Sequence, residues 1–211
     1  MNKIVKEKLK IWFFLWIDME ASIYLYNTGS YSDWQTNSGS TGPGNNPGQY
    51  VVVPKNTAGT AGIPAQIPSM QGFMVVANTG GGALNIPYSS IVTKNTDPQH
   101  VSSLIQVEQV GRVCTTIEVK GTRYSDIMWI ITDQACTHKF DNGWDGYKMS
   151  GSSLTPQIYA MESDGNYQVN SIDDINNTNI GFQTGEDSIY TLVFNHQNLA
   201  SRYKALYLVI C

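Results

Sequence analysis

Residues 126–132 have the sequence Asp-Ile-Met-Trp-Ile-Ile-Thr, in which the five side chains that follow Asp126 are all apolar. A short continuous run of this kind, rich in β-branched and aromatic residues, is typical of a strand in the interior of a sheet rather than at its edge. The run therefore predicts a central strand over 126–132, and the rest of the chain has to supply its neighbours.

Apolar and polar residues alternate with a period of two on both sides of this run. The alternation predicts many short strands separated by turns rich in Gly, Ser, Asn and Pro. The predicted strands cover 22–26, 49–53, 71–77, 83–86, 112–120, 157–160, 167–170, 189–194 and 205–210. No segment after residue 20 has the pattern of a long amphipathic helix. The sequence thus predicts an all-β fold of two consecutive β-sandwich units, immunoglobulin-like or jelly-roll-like.

The distribution of charge suggests where one unit ends and the next begins. Residues 21–97 are nearly free of charge, and most acidic residues lie in the second half of the chain. We therefore predict an N-terminal segment over 1–20, a first unit over 21–100 that need not be complete, and a second unit over 101–211.

Composition excludes some classes of function. Only 14% of the residues are charged and the net charge is −4, so the chain has no basic surface for nucleic acid. A polar but weakly charged surface is common in exported β proteins, which predicts an extracellular or cell-surface location. The three cysteines are too few for a disulfide framework, although a Cys114–Cys136 bridge is possible. We expect Cys114, within a predicted strand, to be a small buried apolar residue.

The N-terminal segment has two interpretations. Several lysines precede the apolar run 11–17, as in a signal peptide, but the run ends at Asp18 and has no small residues that would mark a cleavage site. Seven apolar residues are also far too few to cross a membrane. The alternative, which we favour, is a strand or short helix that covers the edge of a sheet.

The stretch 141–148, Asp-Asn-Gly-Trp-Asp-Gly-Tyr-Lys, is the strongest candidate for a site. Asp141, Asp145 and Gly146 occupy the first, fifth and sixth positions of an EF-hand-like calcium loop. However, Gly143 stands at the third position and Ser152 at the twelfth, so a full EF-hand site is not expected. A looser calcium site on Asp141 and Asp145 remains open. The favoured alternative is a tight turn in which the Asp side chains accept hydrogen bonds from backbone N–H groups and Lys148 pairs with a carboxylate.

Enzymatic activity is not predicted. The two carboxylates could be compared with a glycosidase pair, but nothing in the sequence marks the groups that would support one. The three histidines are scattered, and no metalloprotease, serine-hydrolase or phosphate-loop motif is present. Sugar binding is a stronger alternative, because loop aromatics flanked by Asn, Gln and Asp can stack on sugars. The candidate ligand-binding residues are Tyr31, Trp34, Trp144 and Tyr147.

Residues 67–75, Ile-Pro-Ser-Met-Gln-Gly-Phe-Met-Val, resemble the "IPPGQGFFV" signature of large cell-surface and secreted proteins of Bacteroidetes, many of them exported by the type IX secretion system. Residues 23–27 and 126–148 are similar to further stretches of that family, although Gly146 stands where the family has Ala. In the signature itself we expect Gly72 to permit a close backbone approach, and Phe73 and Val75 to point into a core.

The resemblance implies a non-catalytic, adhesin-like or structural module, and a chain that is a fragment of a longer surface protein. Its expected partners are glycans or other surface proteins. It implies no cofactor other than a possible calcium ion.

Overall fold

The computed structural model describes residues 8–10, 15–27, 49–67, 71–86, 91–92 and 112–210. Within these ranges the protein is all-β, as predicted, and a 3-10 turn over Leu199–Ser201 is its one short helical element. The strands are β1 Lys8–Lys10, β2 Leu15–Ile17, β3 Ser22–Asn27, β4 Gln49–Pro54, β5 Gln66–Ile67, β6 Phe73–Met74, β7 Ala83–Asn85, β8 Ile91–Val92, β9 Cys114–Lys120, β10 Ser125–Thr132, β11 Gly146–Tyr147, β12 Gln157–Glu162, β13 Gly165–Ile172, β14 Asn179–Gln183 and β15 Thr191–Gln197.

The described strands form four sheets. The largest has the order β14-β12-β13-β10-β9-β15, with β11 paired to β13. A three-stranded sheet has the order β4-β3-β6, and the smaller sheets are β5-β1-β8 and β2-β7. Each sheet consists either of strands from residues 1–100 or of strands from residues 101–211.

Strand β10 is the predicted central strand, and the structure confirms its position. It pairs antiparallel with β9 on one side and parallel with β13 on the other. Trp129 and Ile131 belong to one hydrophobic core and Met128 and Ile130 to a second, so both faces of the strand are buried. Because successive side chains of a strand point to opposite faces, a strand between two cores needs apolar residues at every position.

The first core contains residues from both halves of the chain. Ile23 of β3 and Val52 of β4 pack in it with Trp129 of β10 and Val169 of β13. The buried side chains of the second core all come from the second half of the chain, from β9, β10, β12 and β13 and from Ile175, which follows β13. The predicted boundary between residues 100 and 101 lies outside the described residues, and the division into two units stays a prediction.

Some of the predicted strands are shorter than expected or absent. The N-terminal segment contains β1, the middle strand of its sheet, and β2, which pairs with β7, and the interpretation that it covers the edge of a sheet stays a prediction. The predicted strand 71–77 is reduced to Phe73–Met74, and 205–210 forms no strand. A strand is defined by a partner for its backbone groups, and the local alternation of residues does not supply one. Among the described residues, no helix is long and apolar enough to span a membrane.

The structure decides one alternative that the sequence left open and shows that one residue-level expectation was wrong. Cys114 and Cys136 are both buried free thiols, so the possible bridge between them is absent. A Cβ atom on Gly72 would have nothing within 4 Å, so Gly72 does not serve a close backbone approach. Other expectations hold: Cys114 is a core residue, and Phe73 and Val75 pack against the first core. Pro68 and Met70 of the signature lie outside the described residues.

Candidate functional site: the turn at residues 141–148

The first half of this stretch is a tight turn held by its own backbone. Trp144 N and Asp145 N donate to the carbonyl oxygen of Asp141 at 2.9 and 3.0 Å. Gly143 has a φ of 83°, a left-handed conformation that glycine adopts without strain. Asp141 Oδ2 accepts hydrogen bonds from the backbone N–H and the hydroxyl of Thr137, at 2.5 and 3.2 Å. The Asp141 side chain thus ties the turn to the segment that precedes it.

Asp145 is the centre of the turn. Its side chain is buried, and its two carboxylate oxygens accept hydrogen bonds from Asp141 N at 2.7 Å and Ser171 N at 2.6 Å. Burial raises the pKa of Asp145 to about 7, although the two backbone hydrogen bonds act in the opposite direction. The carboxylate therefore joins the turn to β13 from inside the protein.

Asn142 connects the same turn to the first half of the chain. Its Oδ1 accepts a hydrogen bond from Ala21 N at 2.6 Å, and its Nδ2 donates to the carbonyl oxygen of Met19 at 3.1 Å. The side-chain amide therefore pairs with the backbone just before β3 in the way that a neighbouring strand would. A residue more than one hundred positions away in sequence fixes the entry to β3.

Backbone atoms of the turn complete this junction. Asn56 N donates to the carbonyl oxygen of Gly143 at 2.8 Å, and the Ser22 hydroxyl donates to that of Asp145 at 3.1 Å. Gly146 lies so close to Val52 of β4 that a Cβ atom there would come within 2.4 Å of a Val52 methyl group. The turn is a junction between the β4-β3-β6 sheet and the large sheet.

Lys148 follows the turn and forms an ion pair with Asp126 of β10. The distances from Lys148 Nζ to the two carboxylate oxygens are 2.7 and 2.6 Å, and the two side chains are only 2% and 1% exposed. Asp126 Oδ2 also accepts a hydrogen bond from Ile158 N of β12 at 2.7 Å. Burial raises the pKa of the Asp126 carboxyl and lowers the pKa of the Lys148 amine.

These contacts agree with the tight-turn interpretation of residues 141–148. Both Asp side chains accept backbone hydrogen bonds, and Lys148 pairs with a carboxylate. A calcium site on Asp141 and Asp145 stays a prediction. No group of three or more His, Cys, Asp or Glu side chains that could hold a metal ion occurs in the part of the chain that the structure describes.

The candidate sugar-binding aromatics have separate surroundings. Trp144 is half-buried, and the guanidinium group of Arg112 lies 4.6 Å from the centre of its ring. The Tyr147 ring stacks on Phe140 at 4.6 Å with nearly parallel planes, and lies 5.1 Å from Tyr167. The other two candidates, Tyr31 and Trp34, lie outside the described residues. Sugar binding stays a prediction, and no described contact brings the four aromatics together.

Sequence reasoning missed three functional positions, Asp126, Asn142 and Gln168. Gln168 is buried, and its amide bonds to Val52 N at 2.9 Å and to the carbonyl oxygen of Tyr50 at 3.0 Å. A signal existed for Asp126, because a carboxylate at the start of a strand that is otherwise apolar requires a partner. No comparable signal marks Asn142 or Gln168, since Asn and Gln are abundant throughout the chain.

Comparison with known proteins gives one informative relative. No protein-family model and no solved structure matches this chain. The chain is similar to the minor fimbrium subunit Mfa5 of Porphyromonas gingivalis, with 38% identity over 186 residues. The match covers 84% of this chain and 15% of the relative, so the chain spans a small part of that protein's length. The chain is therefore similar to one region of a fimbrial protein from a species of Bacteroidetes.

Proposed function

We propose that this chain is a non-catalytic structural or adhesin-like module of a bacterial cell-surface protein. The observation that carries the proposal is the 38% identity to a fimbrium subunit over 186 residues. Fimbriae are surface appendages, so the proposal also places the module outside the cell. The resemblance of residues 67–75 to a signature of Bacteroidetes surface proteins is in keeping with the same class of protein.

The geometry of residues 141–148 supports a structural role. The polar groups of the turn bond mainly to the protein's own backbone, from Met19 to Ser171. The same turn holds the β4-β3-β6 sheet against the large sheet, with Gly146 packed on Val52. A junction of this kind, with hydrogen bonds to both sheets, resists their separation.

Surface location is the first test of the proposal. An epitope can be inserted in the exposed turn at Asn176–Asn177 of the gene product in its own bacterium. We expect proteases added to intact cells to remove the epitope, and shearing to release it with the fimbrial fraction. A cytoplasmic protein followed in the same cells is the control. An epitope that stays protected until the cells are lysed would contradict the proposal.

Partner class and export route are finer parts of the proposal. The partner is either another surface protein or a glycan, and binding of the purified chain to isolated fimbriae and to a glycan array separates them. If glycans bind, Trp34→Ala or Trp144→Ala should weaken binding while Tyr26→Ala, a variant in β3, should not.

Export by the type IX system, which the resemblance implies, predicts that the epitope remains inside cells that lack that system.

A further inference from the structure

The ion pair between Lys148 and Asp126 lies within the second core. Asp126 is on the same face of β10 as Met128 and Ile130, which are core residues. Both charged side chains are at least 98% buried, and Nζ lies 2.6 and 2.7 Å from the two carboxylate oxygens. The other lysine pair that the structure describes, Lys120 with Glu118, is much more exposed, at 49% and 24%. The two pairs therefore differ in their access to water.

We propose that Lys148 and Asp126 join in an intramolecular isopeptide bond, an amide between Lys148 Nζ and Asp126 Cγ. Transfer of two charges from water into a core is costly, and their mutual attraction offsets that cost only in part. The amide replaces both charges with one neutral group that the Ile158 N–H still satisfies. The inference rests on the geometry of the pair and does not require the proposed surface role.

The position of the nitrogen is suited to this reaction. Because Nζ is almost equally distant from both carboxylate oxygens, it also lies close to the carbon atom between them. Near-attack geometry requires reacting atoms about 3–3.5 Å apart with aligned orbitals, and the pair meets the requirement of distance. The strands on either side hold the pair there, since Asp126 is within β10 and Lys148 directly follows β11.

The reaction balances without any further reagent. One proton passes from the Lys148 ammonium to Asp126 Oδ1, which leaves a neutral amine and a neutral carboxylic acid. The nitrogen lone pair attacks Cγ, a second proton moves from the nitrogen to Oδ1, and Oδ1 leaves as water. The raised pKa of Asp126 and the lowered pKa of Lys148, both due to burial, favour the neutral pair.

The backbone N–H of Ile158 has a defined role in the same step. It donates to Oδ2 at 2.7 Å, where negative charge develops when the nitrogen attacks Cγ. A fixed N–H donor in a buried site stabilises such a charge. Oδ2 then remains as the carbonyl oxygen of the amide and keeps this hydrogen bond.

Intact-mass measurement of the purified full chain tests the proposal. We expect the chain to be lighter than its sequence requires by the mass of one water. Trypsin should release a branched peptide in which residues 124–139 are joined to residues 140–202, without cleavage after Lys148. Fragmentation should place the branch at Asp126 and Lys148. A wild-type chain of full mass, with normal cleavage after Lys148, would overturn the proposal.

Two lysine variants show whether Lys148 is the residue whose reaction removes one water molecule from the chain. Lys148→Arg preserves a charge but cannot form the amide, and it should have its full sequence mass. Lys120→Arg, at the exposed pair, should lose one water as the wild type does. A Lys148→Arg chain that still lacks one water would also overturn the proposal, since the loss would then come from elsewhere, such as dehydration at Asp164-Gly165. The peptide map of the wild type decides the question even if Lys148→Arg does not fold.

Discussion

Asp145 is a buried carboxylate whose protonation is linked to the stability of the fold. Its pKa in the folded protein is about 7, compared with 3.8 for an ordinary Asp side chain. Between these two values the folded protein binds a proton that the unfolded chain does not bind. The contribution of Asp145 to the free energy of unfolding therefore falls as the pH rises through this range and is constant above it.

Asp145→Asn should remove this pH dependence. The variant keeps an oxygen acceptor in the turn but has no charge to bury. Between about pH 4 and pH 7, the wild type should lose up to about 4 kcal/mol of stability relative to the variant, because one pKa unit corresponds to about 1.4 kcal/mol. Urea unfolding of both proteins at several pH values measures the difference. Parallel pH profiles for the two proteins would contradict the linkage.

Calcium provides a second test at the same residues. Three of the contacts to Asp141 and Asp145 come from backbone N–H groups, which occupy the carboxylate oxygens that a cation would need. We therefore expect calcium and a chelator to leave the melting temperature unchanged. A calcium-dependent rise that Asp141→Asn abolishes would instead support the loose calcium site, because a ligand that binds only the folded state raises its stability.

At the scale of elements, β11 is a two-residue strand whose position depends on Gly146. A Cβ atom at this position would lie 2.4 and 2.5 Å from the two methyl groups of Val52. This contact gives a physical reason for glycine where the resembling family has alanine. Strand β11 can approach β4 closely because Gly146 has no side chain.

Gly146→Ala should separate β11 from β4 and reduce the free energy of unfolding by about 1–3 kcal/mol, the usual cost of overpacking. Thermal and urea unfolding measure the effect. Val52→Ala should partly relieve it in the double variant, because the clashing methyl groups are then absent. Gly72→Ala is the matched control, since its Cβ would meet no atom within 4 Å. An equal loss of stability in both single variants would exclude the clash as the cause.

Three segments show where a local sequence pattern is sufficient to predict a strand and where it is not. The five apolar residues of 127–131 predicted β10 and its interior position, because a strand between two cores has no polar face. By contrast, residues 205–210 are a continuous apolar run like that of a buried strand but pair with no described strand, and Tyr207 and Ile210 are 88% and 89% exposed. Strand β14 was not predicted, since its outer residues are polar and its partner β12 provides the pairing.

At the scale of the whole molecule, Gln168 joins the β4-β3-β6 sheet to the large sheet. Strand β4 is at the edge of its sheet, so no described strand pairs with Val52 N and the carbonyl oxygen of Tyr50 on that side. The Gln168 amide supplies both partners, and its nitrogen also donates to the carbonyl oxygen of Ile127 at 3.1 Å. The Gln168 side chain, from the large sheet, thus supplies hydrogen-bond partners for backbone groups at the edge of the β4-β3-β6 sheet.

Gln168→Leu should destabilise both sheets together. The change leaves buried backbone groups without partners, at a cost of about 1–3 kcal/mol each, so we expect a loss of at least about 2 kcal/mol. Circular dichroism and tryptophan fluorescence should still report one shared transition at a lower temperature. Gln183→Leu, an exposed position in β14, should change stability by less than about 0.5 kcal/mol. Separate transitions in the wild type would show that the sheets unfold independently.

Local sequence patterns are sufficient to predict that this protein is all-β, that 126–132 is its central strand, and that residues 141–148 form a turn. These properties follow from local patterns, because the alternation of side chains and the conformational freedom of glycine act over a few residues. The tertiary structure alone decided that Asn142 bonds to Ala21, that β10 runs parallel to β13, and that Lys148 meets Asp126. These contacts depend on the pairing and curvature of whole sheets, and local periodicity carries no information about which distant strands become neighbours.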